Sequence, residues 1–119
     1  MAGDTTGQVV LCDASPLIFL AKLNRLDLIE PCTQSRAIVL RCVVEEVLSE
    51  RPPPIEAERL RTWLATVQQV DFQKDLFPSR ALSLCDRASL AWAYENKVDW
   101  FLVDERLLRR FARERGIRV

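Results

Sequence analysis

The sequence predicts an α/β fold of three layers, in which helices cover both faces of a central, mostly parallel sheet of four to five strands. Two observations support this prediction. Short continuous apolar runs, which are typical of strands buried on both faces, alternate with helical stretches of about 10–15 residues. Such alternation is typical of βαβ units, whose right-handed crossovers make successive strands parallel. The chain has 119 residues, which is the length of a single domain.

The first half of the chain begins this alternation. Residues 9–12 form a continuous apolar run of strand length. Ser15 and Pro16 are then typical of a helix N-cap followed by proline at the first helical position, and an apolar stripe extends this helix to Leu23. The predicted elements that follow are a short amphipathic piece at 26–29, a strand at 37–40, a helix at 43–49 that three prolines end, and a helix at 55–66.

The second half continues the alternation with a less regular third strand, whose apolar side chains do not alternate cleanly. The predicted elements are, in order, this strand at 67–72, a helix at 83–96, a strand at 98–103, a helix at 105–115 and the start of a fifth strand at 117–119. Gly116 lies where a glycine commonly ends a helix. Residues 1–8 are polar and are predicted to be a flexible leader, so that the domain is predicted at 9–119.

Composition excludes several function classes. The chain has no histidine, which excludes Ser–His and Cys–His catalysis and zinc sites that need imidazole. Its three glycines cannot form a dinucleotide-binding fingerprint or a P-loop. Seventeen basic and seventeen acidic residues cancel overall, which excludes a uniformly cationic nucleic-acid binder. From residue 105 onward, however, six arginines stand against two glutamates, a local net charge of +4.

The cysteines and the apolar segments indicate the cellular compartment. The four cysteines form no C-x-x-C pair, and Cys12 and Cys85 lie in apolar runs, where a free cysteine behaves as a small buried hydrophobe. The sequence therefore favours buried free thiols over a disulfide. It contains neither a signal peptide nor an apolar stretch of about 20 residues that could span a membrane. We expect a reduced, cytoplasmic protein without a membrane association.

Four acidic residues lie where an open parallel sheet binds its ligands, beyond the carboxyl ends of the strands. Asp13 and Asp104 directly follow predicted strands, Glu46 lies in the helix after the second strand, and Asp86 opens the helix before the fourth. Each alone has a structural explanation; Ser83 and Asp86, for example, have the spacing of a capping box. Together, four acids at one edge repel one another unless a cation lies between them. Because carboxylates suit hard divalent ions, the pattern predicts a Mg²⁺ or Mn²⁺ site.

The sequence resembles the PIN-domain ribonucleases, and within them the VapC-type toxins of bacterial toxin–antitoxin pairs. The resemblance covers about 9–119 and rests on four segments: LCDASPLIFLAKLNRLDLI, VVEEVL, LSLCDRASLAWA and FLVDERLLRRFA. It implies a PIN-like fold and a ribonuclease that uses Mg²⁺ or Mn²⁺ to hydrolyse RNA phosphodiester bonds, leaving a 5′-phosphate and a 3′-hydroxyl. It also implies an antitoxin protein as partner and a homodimer.

By this resemblance the family's four acids, which bind metal and catalyse cleavage, correspond to Asp13, Glu46, Asp86 and Asp104. Glu46 is preferred to Glu45 because the family's acid is followed by an aliphatic residue. Two positions depart from the family pattern. Cys85 stands where a glycine commonly precedes the third acid, and Val103 stands where a hydroxyl residue often precedes the fourth.

Four further residues are predicted to bind the RNA substrate. Ser15 matches the small hydroxyl residue that usually follows the family's first aspartate by two positions, and Arg87 directly follows the third acid. Arg106 and Arg109 belong to the arginine-rich last helix, which begins beside Asp104, and guanidinium groups favour phosphate contacts. The same arginines are equally compatible with a solvated helix face or with an antitoxin's acidic tail.

Other function classes fit the residues less well. A receiver domain needs an acidic pair after its first strand, and an aspartyl phosphatase needs D-x-D, but Asp13 is followed by Ala14 and Ser15. The alternative that remains is a catalytically silent PIN-like module that binds a partner through exposed apolar surface. Affinity for Mg²⁺ or Mn²⁺ distinguishes this module from a nuclease.

Overall fold

The structure is a computed structural model that describes residues 8–75 and 80–119. Its strands are β1 (Val9–Cys12), β2 (Arg36–Leu40), β3 (Gln68–Val70) and β4 (Trp100–Leu102). Its helices are α1 (Ala14–Lys22), α2 (Ile29–Thr33), α3 (Arg41–Ser49), α4 (Pro54–Leu64), α5 (Leu84–Glu95) and α6 (Arg106–Glu114), with a 3₁₀ turn at Leu26–Leu28. The strands pair in parallel in the order β3-β2-β1-β4, which confirms the predicted α/β fold with a parallel sheet.

Strand β1 is an inner strand with β2 on one side and β4 on the other. Leu11 pairs with Ile38 of β2 and with Phe101 of β4. Leu11 and Phe101 are completely buried, as the continuous apolar runs predict for strands covered on both faces. The residue that follows β1, Asp13, therefore lies at the carboxyl edge of the sheet with a strand on either side.

The helices bury apolar side chains against the sheet and against one another, and in α5 the buried residues are consecutive from 88 to 93. Helix α1 packs against α3 and α4, and α5 packs against α6. Their fully buried side chains include Leu17, Val47, Leu60, Leu90 and Leu108. The longest helix in the described part of the chain, α5, has 12 residues, and none is long and apolar enough to cross a membrane.

Two serines were predicted to cap helices, and the structure confirms one of these predictions. Ser83 caps α5 as its spacing predicts, since its hydroxyl accepts a hydrogen bond of 3.0 Å from the Asp86 N–H. The prediction that Ser15 caps α1 is wrong, because α1 begins at Ala14, directly after an extended Asp13. Pro16 lies within the first helical turn, where the backbone N–H that proline lacks has no helical partner.

The edges of the sheet differ from the prediction. Strand β3 covers only three of the six residues predicted at 67–72. The fifth strand expected at 117–119 does not form: the Phe101 N–H donates to the Arg118 carbonyl at 2.8 Å, but no ladder follows. Residues 1–7 of the predicted leader lie outside the described residues, and the Gln8 carbonyl accepts a 2.8 Å hydrogen bond from the Arg36 N–H.

The expectation of free buried thiols is wrong for two of the four cysteines. A disulfide joins Cys42, in the first turn of α3, to Cys85, in the first turn of α5, and the two Cα atoms are 5.8 Å apart. The two cysteines are 43 residues apart in sequence, so only the packing of the helices brings them together. Cys12 is buried and free as expected, whereas Cys32 is free but exposed.

Candidate active site

Asp13 is the most buried acid at the carboxyl edge of the sheet. It is only 5% exposed, because it connects the inner strand β1 directly to α1. Its backbone N–H donates to the Leu102 carbonyl at 2.9 Å and so extends the pairing of β1 with β4. Its Oδ1 atom is buried and has no hydrogen-bond partner among the described residues. A buried carboxylate oxygen without a donor is energetically unfavourable unless a proton or a cation binds it.

The pKa of Asp13 shows the electrostatic character of this edge. Burial raises it from its ordinary value of 3.8 to about 7, and the charge of Asp86 is the next largest cause. A backbone hydrogen bond from Ala14 opposes the shift, while the charges of Glu46 and Glu105 add to it. Three carboxylates from three different elements are therefore close enough to Asp13 to disfavour its ionised form.

The neighbouring acids also act on one another. The pKa of Glu46 is raised by partial burial first, then by the charges of Asp86, Glu50 and Glu105. Partial burial and the charge of Asp86 likewise raise the pKa of Glu105. Asp86, half-buried in the first turn of α5, is thus the acid that acts on the other three. We call Asp13, Glu46, Asp86 and Glu105 the acidic cluster.

The family comparison agrees with this arrangement of acids at the carboxyl edge of a parallel sheet. A family model described as a PIN domain matches residues 9–119. The chain belongs to the PIN-domain family. PIN domains are generally nucleases, and those nucleases typically use divalent metal ions. The search of curated proteins found no match.

This PIN domain brings three of the four sequence-predicted acids together and adds one that the sequence reasoning missed. Asp13, Glu46 and Asp86 belong to the acidic cluster, but its fourth member is Glu105. Asp104 is exposed and lines a cavity of about 360 Å³ beside α1. The sequence V-D-E contains both acids, and only the backbone conformation before α6 determines which one faces the cluster.

The donor set of the acidic cluster fits a hard divalent cation. Its members are carboxylates whose repulsion a positive charge would relieve, and the Oδ1 atom of Asp13 has no partner in residues 8–75 and 80–119. In the described part of the chain, no three acidic or cysteine side chains already stand close enough to hold an ion together. Metal binding would therefore require side-chain rotations that draw the carboxylates inward.

The four predicted substrate-binding residues differ in their exposure and in their contacts. Ser15 is exposed in the first turn of α1, two residues after Asp13. Arg87 forms a 3.1 Å ion pair with Asp75, and its Nε atom is buried without a hydrogen-bond partner in the described residues. Arg106 is exposed and Arg109 half-buried, one turn apart on α6.

Some arginines near the C-terminus have structural contacts. Arg110 pairs with Glu114 at 3.6 Å, and both belong to the exposed side of α6. The guanidinium of Arg118 lies 4.9 Å from the ring centroid of Trp100, which is a cation–π distance. Part of the basic charge of residues 105–119 is therefore used in contacts within the chain.

Proposed function

We propose that this PIN domain is a metal-dependent ribonuclease that hydrolyses RNA phosphodiester bonds at the acidic cluster with Mg²⁺ or Mn²⁺. One observation carries the proposal: the buried carboxylate of Asp13 has an oxygen without a hydrogen-bond partner among the described residues, and burial and three acidic neighbours raise its pKa to about 7. A fold needs no such concentration of like charge for its stability. The arrangement is instead what a cation site needs before the cation binds.

Asp13, Asp86 and Glu46 would hold the ion, with the fourth carboxylate supplied by the pair Asp104 and Glu105. Glu105 already raises the pKa of Asp13 and of Glu46, whereas Asp104 is exposed and lines the cavity beside α1. A divalent ion supplies positive charge that neutralises the scissile phosphate and lowers the pKa of a nearby water.

The chain's own residues then have separate roles in hydrolysis. Asp13 is the most buried acid of the cluster, and β1 and α1 fix its position. It would therefore keep the water and the phosphate oriented. Glu46 is exposed at the rim of the cluster, so a carboxylate oxygen of Glu46 that does not hold the ion would take a proton from the attacking water. The water oxygen bonds to phosphorus while the bond to O3′ breaks, and O3′ takes a proton from solvent. The products are a 5′-phosphate and a 3′-hydroxyl.

The RNA backbone would contact the exposed side chains around the cluster. Arg106 and Arg109 lie in the first turns of α6, directly after Glu105, and offer guanidinium groups to neighbouring phosphates. Ser15 offers a hydroxyl beside Asp13. Arg87 reaches the scissile region only if its ion pair with Asp75 opens.

The biological role that fits this activity is the toxin of a toxin–antitoxin pair, acting in the cytoplasm as a homodimer and inhibited by an antitoxin protein. The four segments that resemble VapC-type toxins support this role. Detection of a small antitoxin encoded beside the protein, which co-purifies with it and inhibits RNA cleavage, would test it.

The second candidate function is a catalytically silent PIN-like module that binds a partner. It is favoured by the separation of the carboxylates, since no three of them in the described ranges already stand within reach of one ion. The two functions differ in Mn²⁺ affinity: the ribonuclease binds Mn²⁺ with saturation, whereas the silent module does not.

The test is cleavage of an end-labelled single-stranded RNA pool. We expect cleavage with Mg²⁺ or Mn²⁺ and none with EDTA. Asp13→Asn and Asp86→Asn should each slow cleavage at least about 100-fold, because each removes a charge that holds the ion. The control is Asp27→Asn, since Asp27 is exposed, pairs with Arg25 at 3.2 Å and lies beyond the other end of α1. Undiminished cleavage in EDTA would contradict the proposal.

A further inference from the structure

The Cys42–Cys85 disulfide links the two helices that carry half of the acidic cluster. Cys42 precedes Glu46 by four residues on α3, so the two side chains lie one helical turn apart on the same face. Cys85 directly precedes Asp86 in the first turn of α5. The covalent bond therefore fixes the separation of Glu46 and Asp86 through one helical turn on one side and one peptide bond on the other.

Electrostatic repulsion acts against this link. Glu46 on α3 and Asp86 on α5 carry like charges, and their repulsion favours separation of the two helix segments. Both acids belong to helix segments at the carboxyl edge of the sheet. With Cα atoms 5.8 Å apart, Cys42 and Cys85 oppose that separation in any protonation state.

We propose that this disulfide is a positioning crosslink for the acidic cluster, and that its reduction lowers the affinity of the cluster for divalent metal ions. The inference rests on the proposed function, because it assumes that the cluster binds a divalent ion. The crosslinked chain limits how far apart the helix segments that carry Glu46 and Asp86 can move. In the reduced chain, binding of the same ion must also overcome the repulsion between the two carboxylates and must restrict the relative motion of α3 and α5.

A reductant can reach the disulfide from the surface. Both cysteines are only half-buried, and they line an open cavity of about 240 Å³. Its other walls include Phe72, Asp75 and the 72%-exposed side chain of Leu84. Disulfides that solvent can reach are typically more labile than those sealed in a core.

The chemical step is thiol–disulfide exchange with a dithiol. One thiolate of the dithiol attacks a sulfur of the disulfide and forms a mixed disulfide, and the second thiol then displaces the remaining protein sulfur. Two electrons and two protons pass to the protein, which gains thiols at Cys42 and Cys85, and the dithiol becomes a cyclic disulfide. A low-molecular-weight disulfide such as oxidised glutathione reverses the reaction and is itself reduced to two thiols.

The experiment measures Mn²⁺ affinity by isothermal titration calorimetry on the full chain in both redox states. The reduced protein is prepared with dithiothreitol, desalted anaerobically and checked for free thiols by alkylation and mass spectrometry. We expect Mn²⁺ to bind the reduced protein at least about 10-fold more weakly, and reoxidation to restore the affinity. In cleavage assays, reduction should lower kcat while leaving the KM for RNA nearly unchanged.

Variants separate positioning from a general loss of structure. Cys42→Ser and Cys85→Ser should each bind Mn²⁺ like the reduced wild type and should not respond to dithiothreitol, with far-ultraviolet circular dichroism unchanged. Cys32→Ser is the matched control: Cys32 is free and exposed on α2, so this variant should keep the full redox response. If a serine variant does not fold, the reduction of the wild type gives the same comparison without a mutation.

The outcomes distinguish the two proposals. Equal Mn²⁺ affinity in the oxidised and reduced states, with both states binding, overturns the positioning role and leaves the ribonuclease proposal intact. No Mn²⁺ binding in either state overturns both. Tighter binding after reduction also overturns the inference, because it would mean that the crosslink holds the acids too far apart.

Discussion

Asp13→Asn removes the buried charge at the end of β1 while keeping the shape of the side chain. Because the folded-state pKa of Asp13, about 7, lies above the ordinary 3.8, the folded protein holds this proton more tightly than the unfolded chain does. Stability from this group is therefore fully present below about pH 4 and is lost as the pH rises to about 7. The difference between these two pKa values corresponds to a loss of folding free energy of about 4 kcal/mol above pH 7 and of about 1–2 kcal/mol at pH 5.

Asparagine carries no charge at any of these pH values, so the metal-free variant should be more stable than the wild type. For a chain of this length we expect Tm to rise by about 15 °C at pH 8 and by about 5 °C at pH 5. The assay is thermal unfolding in EDTA, followed by circular dichroism, with Asp27→Asn as the exposed control. Adding Mn²⁺ at pH 8 should stabilise the wild type and not Asp13→Asn. Equal melting of variant and wild type at both pH values would refute this reasoning.

Three other predictions address the cluster and its support. Glu105→Gln should lower the pKa of Asp13, because it removes one of the charges that raise this pKa. Asp104→Asn should lower the pKa of Asp13 less. NMR titration of the side-chain carboxyl carbons measures the pKa of Asp13 in both variants, and a larger effect of Asp104→Asn would contradict the structure. Ser83→Ala removes the hydrogen bond to the N–H of the third residue of α5 and should lower the free energy of unfolding in urea by about 1 kcal/mol. Phe101→Ala empties a fully buried position in β4 and should lower it by about 3–5 kcal/mol in the same assay, whereas a loss below about 1 kcal/mol would mean that Phe101 is not part of the core.

The elements that the sequence predicted well are those with a local signal. β1 and β2 are continuous apolar runs in a sheet covered on both faces, and both form within one residue of their predicted bounds. The cap at Ser83 involves an N–H only three residues away, so its spacing was sufficient. Ser15 had an equally good local pattern, but the pairing of Asp13 with Leu102 brings the extended chain directly to the helix and moves its start to Ala14.

The acid positions were partly determined by the same local logic. Asp13 follows a buried strand, and any residue that follows an inner parallel strand lies at the carboxyl edge of the sheet. Which of Asp104 and Glu105 acts on the cluster was not predictable, because the two are adjacent and a few backbone dihedral angles before α6 decide their directions. The ion pair of Arg87 with Asp75 likewise depends on the position of Asp75, which lies in a segment without a periodic sequence pattern.

The sequence by itself determined the α/β class, the parallel strands and the presence of acids at one edge of the sheet, because apolar periodicity and strand-end position are properties of neighbouring residues. Tertiary structure alone decided that Cys42 meets Cys85, that burial and Asp86 raise the pKa of Asp13, and that Glu105 joins the cluster. Each of these facts depends on contacts between residues that are far apart in the chain. Such contacts follow from how α3, α5 and α6 pack on the sheet, and no local spacing records that packing.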